Sequence, residues 1–94
     1  MWTVVRFELR RPGDYRTAFE LLAGAGFLAH RHPAPADEEP LPAAVVRDLF
    51  QDPAAVTRAV FDALHGARLS PVGVAAAHVD VTGPARRRAT LARG

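Results

Sequence analysis

The chain has 94 residues, 49% hydrophobic and 23% charged, with a formal net charge of +2. That is the length of one domain and an ordinary globular composition, which sets aside multidomain and wholly disordered architectures. Cysteine is absent, which excludes disulfide scaffolds, thiolate metal sites and thiol nucleophiles.

Residues 3–10 alternate, with Val5, Phe7 and Leu9 on one face and Val4, Arg6, Glu8 and Arg10 on the other. This is the pattern of a half-buried strand. Arg11-Pro12-Gly13 breaks it, and Asp14 is a candidate N-cap for a helix over about 15–25. The apolar stripe of that helix is Tyr15, Ala18, Phe19, Leu22 and Ala25. Gly26 suits the left-handed position that follows a helix. Phe27 to His32 reads as a second, weaker strand, and Pro33 to Pro40, with three prolines and three acids, as a solvated loop. A third strand around Ala44–Leu49 leads to the clearest boundary in the chain, Asp52 as N-cap and Pro53 at the first helical position. Val56, Ala59, Val60, Ala63 and Leu64 then form an apolar stripe that Gly66 closes. Val72 to Val81 is a fourth strand, stopped by Gly83-Pro84. Residues 1–83 thus form the domain, and 84–94 a basic, flexible tail.

The element order is βαββαβ. Two right-handed crossovers place both helices on the same side. The economical solution is an α+β, ferredoxin-like βαββαβ sandwich, a four-stranded antiparallel sheet with two helices on one face. A doubly wound fragment fits less well, because strands two and three are joined by a hairpin link. The face without helices needs water, a ligand or a second subunit. Strand one puts Arg6, Glu8 and Arg10 there. With Val79 and Val81 assigned to the helix side, His78 and Asp80 join them. Trp2, Val4, Val74 and Ala76 are assigned to the same face, and together with the thin core of a short chain they predict a homodimer.

Strands one and four are neighbours in such a sheet, so Glu8, His78 and Asp80 are the candidate catalytic residues. Two carboxylates and an imidazole are a donor set for a divalent metal in phosphodiester hydrolysis. His78 alone is a candidate general base toward a ribose 2′-hydroxyl. Charges alternating along a strand also describe a solvated or cross-strand-paired face with no chemistry at all. His30-Arg31-His32 forms a second group, with two imidazoles on one side of a strand, suited to RNA phosphates or bases or, less well, to a metal.

Val4-Val5-Arg6-Phe7-Glu8-Leu9 followed by Asp14-Tyr15 resembles the opening of the GhoS-type antitoxins. These are small ferredoxin-like proteins related in fold to the small CRISPR adaptation nuclease subunit. Gly26-Phe27 resembles the pair that opens their second strand, and Leu41-Pro42 the element that ends their long loop. The similarity spans residues 3–81 and rests on short motifs. It implies RNA binding with endoribonuclease activity. Glu8 stands where that family often has Asp, and the basic tail has no counterpart there. Arg11-Pro12-Gly13 bears a slighter likeness to the ligand-binding ACT domain.

Lysine, isoleucine and asparagine are absent, a bias toward GC-rich codons that accounts for an all-arginine basic set. Its distribution says more than its size. Residues 1–83 carry 8 Arg against 10 acids, whereas the tail carries Arg86, Arg87, Arg88 and Arg93 and no acid. Arg86, Arg87 and Arg88 are therefore candidates, with Arg6, Arg10, His30, Arg31 and His32, for contact with an RNA backbone. No apolar run approaches the roughly 20 residues of a membrane span, and the N-terminus lacks the pattern of a signal peptide. A cytoplasmic protein with no membrane partner is expected. The readings in order are an antitoxin-like endoribonuclease acting on single-stranded RNA, a non-catalytic homodimeric module that binds a protein partner through its open sheet face, and an ACT-like ligand sensor.

Overall fold

A computed structural model describes residues 1–31, 40–79 and 92–93. The strands are β1 (Trp2–Leu9), β2 (Leu28–Ala29), β3 (Ala43–Asp48), β4 (Pro71–Val79) and β5 (Ala92–Arg93), and the helices are α1 (Tyr15–Gly24) and α2 (Pro53–Gly66). All the pairings are antiparallel, and the strands lie in the order β2-β3-β1-β4-β5. The protein is therefore α+β, with a five-stranded sheet in place of the four strands the sequence suggests. The additional strand comes from the basic tail. Ala92 and Arg93 pair with Val74 and Gly73 on the outer edge of β4. The second strand is shorter than the sequence predicts, because Phe27 is used to close α1.

β1 is central because its alternation presents one face to the helices along its whole length. Val5 lies opposite Val45 and Ala76, and Phe7 opposite Ala43 and Val74. These residues join Leu9, Ala18, Leu22, Phe27, Val56, Val60, Leu64 and Leu69 in one buried cluster, so both helices pack on the same face of the sheet. The small Ala43 opposite Phe7 leaves room for its ring, which meets Tyr15 and Phe19 at centroid distances of 6.1 and 5.6 Å. Such offset aromatic contacts add to what burial alone contributes.

Local chemistry sets the helix boundaries, with two departures from expectation. Asp52 caps α2 as predicted, its carboxylate accepting from the Ala54 N–H at 3.1 Å. Asp14 does not cap α1 in the same way. It has helical dihedrals, and its carboxylate accepts from Arg11 Nε at 2.8 Å instead. At the C-termini the two helices end alike. Gly26 donates to Ala23 and Phe27 to Leu22 after α1, while Arg68 donates to His65 and Leu69 to Leu64 after α2, each at 3.0 Å. Both are Schellman motifs, which need a left-handed residue in the penultimate position. Gly26 fills it at φ 93°, and Arg68 at φ 62°. Gly66, expected to close α2, lies within its last turn.

On α2 the stripe is narrower than predicted. Ala59 and Ala63 are exposed, and Thr57 is buried in their place. Thr57 Oγ1 accepts from the Ala76 N–H at 3.0 Å. The helix thereby satisfies an outward-pointing donor of β4 beyond the two residues that β5 covers, which blunts an open sheet edge.

Candidate functional site

Register with β1 fixes which side chains share the open face. Directly opposed residues lie on the same side of a sheet. Leu28, Val46, Val4 and Ala77 form one row across four strands. Asp48, Trp2 and Val79 form the next row, and Ala44, Arg6 and Ala75 lie on the other side of the first. Glu8 lies opposite Gly73, which in turn pairs with Arg93. The face is thus mostly apolar at the end where β1 begins and charged where β1 ends.

The same register overturns one assignment made from sequence. His78 lies opposite Thr3, whose neighbours Val5 and Phe7 along the strand face the helices, so His78 is on the helix side. Its Nε2 is 2.7 Å from the Gln51 carbonyl, just before α2. Val74 and Ala76, assigned to the open face with it, are core residues. Val79 is on the open face. The apolar run of β4 has no alternation of its own, so only pairing could set its parity.

Glu8 and His78 therefore point to opposite faces and are five residues apart in register, about 17 Å at about 3.4 Å per residue. One metal or one scissile phosphate cannot engage both. Among the described residues no group of three or more His, Asp and Glu side chains is placed to hold a metal ion. Asp80, His32, Arg86, Arg87 and Arg88 lie outside the described residues. Arg6, a candidate for phosphate contact, is only 7% exposed and is not without a partner. His30 is half-buried beyond β2, with its N–H donating to the Ala44 carbonyl at 2.9 Å. Arg10 and Arg31 are exposed.

At the start of β1, Trp2 is exposed as expected, and Met1, Leu28 and Phe50 are exposed large apolar residues that the sequence reading did not name. Met1 is 51% exposed, Trp2 40%, Leu28 63% and Phe50 93%. The Leu49 N–H donates to the Met1 carbonyl at 3.0 Å, which sets Phe50 beside the first two residues. The Met1 ammonium and the Asp48 carboxylate pair at the same corner. The visible sequence signal is an apolar Leu49-Phe50 pair shortly before the Asp52 cap, since two neighbours on an extended segment point to opposite sides and only one can face the core. Leu49 is half-buried against the core and Phe50 is left over.

No protein-family model, curated protein or solved structure matches this chain. The class that fold and surface define is a small α+β domain whose helix-free sheet face, expected from sequence to be open, is buried at its middle, at Val4, Arg6, Ala44 and Ala77, and leaves Trp2 and Leu28 exposed. No helix among the described residues is long and apolar enough to cross a membrane.

Proposed function

We propose that this protein is a ferredoxin-like, non-catalytic interaction module that forms a homodimer through the exposed apolar side chains of Trp2, Leu28 and Phe50. The order β2-β3-β1-β4 with both helices on one side supports the ferredoxin-like reading, with β5 added at the free edge of β4. The observation that carries the functional reading is the exposure of large apolar side chains, Phe50 at 93% and Leu28 at 63% above all. Exposed apolar patches of this kind mark association sites, and buried aromatic anchors dominate their energetics. A two-fold interface uses the same patch on both copies, so it must tolerate itself. The exposed side chains of Trp2, Leu28 and Phe50 carry no charge and do so.

Light scattering on the wild type, Phe50→Ser and Leu28→Ser tests this. Both substituted side chains are exposed, so the variants keep their fold, and the expected outcome is a dimer that each change drives toward the 10.1 kDa monomer. A wild-type monomer at micromolar concentration refutes the reading.

The competing reading is the RNA cleavage implied by the antitoxin resemblance. Glu8 is its one described carboxylate on the open face near the end of β1. Intact single-stranded RNA after incubation with magnesium or manganese is the expected result. Cleavage that disappears in Glu8→Gln replaces the association reading with the nuclease one.

A further inference from the structure

At the end of the sheet opposite Trp2 and Phe50, the link from α2 to β4 holds two non-glycine residues in left-handed backbone, Arg68 at φ 62° and Ser70 at φ 48°. At Arg68 this conformation crowds Cβ against the chain, a cost that glycine avoids. The equivalent position after α1 is indeed glycine, Gly26. Codon bias does not account for the difference, because glycine codons are as GC-rich as those of arginine. The link is held from outside. Arg10 N–H donates to the Ser70 carbonyl at 3.0 Å, and Arg11 Nη2 to the Arg68 carbonyl at 2.8 Å. Arg11 Nε also donates to Asp14 at 2.8 Å, so this guanidinium is fixed in place with three of its five N–H donors to spare. The side chains of Arg10 and Arg68 are exposed and have no acidic partner among the described residues.

We propose that Arg10, Arg11 and Arg68 form a binding site for a phosphate-rich anion. Three guanidinium groups brought to one end of the domain match several phosphate oxygens in bidentate fashion, which a single carboxylate would not use. The aromatic side chains nearby, Phe7, Tyr15 and Phe19, are turned toward the core, so the site reads charge and offers no platform for a base. A cation kept at an exposed position where its backbone is strained is the pattern of a residue retained for binding at the expense of stability. This site lies at the far end of β1 from the association surface and does not rest on it.

Calorimetric titration with inorganic tripolyphosphate tests the proposal on wild type, Arg68→Gly, Arg10→Ala and the control Arg58→Ala, an exposed residue elsewhere on α2. Arg68→Gly preserves every backbone hydrogen bond of the link. It is expected to raise the melting temperature while weakening tripolyphosphate binding about tenfold, the scale of one charge-assisted contact. Arg10→Ala weakens binding similarly, and Arg58→Ala leaves it unchanged. A purely structural arginine would move stability and leave affinity alone. An oligothymidylate probe separates the sources of phosphate. Tighter, steeply salt-dependent binding assigns the site to a nucleic-acid strand, and binding no tighter than tripolyphosphate assigns it to a small polyphosphate. Absent tripolyphosphate binding, or equal affinity in wild type and Arg68→Gly, overturns the proposal.

Discussion

The same substitution at two buried threonines should change stability in opposite directions. Thr3 and Thr57 are 0% and 3% exposed, and both face the layer between sheet and helices. Thr57 Oγ1 accepts the Ala76 N–H at 3.0 Å, whereas Thr3 Oγ1 is buried without a hydrogen-bond partner. Thr3→Val keeps the β-branched shape that a strand favours and replaces an unsatisfied hydroxyl with a methyl group. Burying a polar group unpaired costs about 1–3 kcal/mol, so removing it stabilises the fold by about 1 kcal/mol or more. Thr57→Val does the reverse. It strands a buried backbone N–H on β4 and costs about 1–3 kcal/mol by the same accounting. In a domain of this size each kcal/mol moves Tm by about 4–8 °C. Thermal and urea unfolding of the two variants therefore separate well beyond experimental error, with Thr3→Val above wild type and Thr57→Val below it. A destabilised Thr3→Val with an unchanged urea m-value would show that the Thr3 hydroxyl is paired, and the packing described at that end of β1 would be wrong.

Gly26→Ala should destabilise by about 1 kcal/mol or more, since φ is 93° and an added Cβ would lie 3.2 Å from Arg47 Nε; Arg68→Gly should stabilise by about 1 kcal/mol for the mirror reason. Chemical denaturation of the pair tests whether the two helix ends are equivalent, and shifts of the same sign would contradict that. Asp52→Ala removes the only side-chain cap described on α2 and should cost about 1 kcal/mol; Asp14→Ala, where no cap bond exists, should cost measurably less. Equal losses in equilibrium unfolding would mean that Asp14 caps α1 in solution.

Much of this fold is written in local patterns. The alternation of β1 reveals its two faces without any tertiary information, and Asp52-Pro53 marks the start of α2 to the residue. The site was harder to read, for physical reasons. β4 is apolar from Pro71 to Ala77, so nothing in its own sequence distinguishes a helix-facing from an open-facing position. One step of parity moved His78 away from Glu8 and put Val74 and Ala76 in the core, because a register slip of one residue exchanges the faces of a strand. Gly66 was a plausible end to α2, yet the chain carries its left-handed residue two positions later on an arginine, a choice that propensity argues against. Thr57 lies outside the apolar stripe named from the sequence, yet its hydroxyl serves the edge of β4. Phe50 follows Leu49, and nothing local in the sequence tells which of the two packs against the core. In each case the missing information was the identity of a partner distant in sequence.

Trp2 is the sole tryptophan and lies at the edge of the proposed dimer surface, 40% exposed in the single chain. Its emission therefore reports directly on association, and a dilution series followed by fluorescence and sedimentation velocity is the sharpest test of the central claim. The account predicts a dimer whose Trp2 emission shifts to the red on dilution, with the same midpoint as the fall in mass, and a Phe50→Ser variant that shows the red-shifted emission at every concentration. A monomer across the whole series with invariant Trp2 emission contradicts it.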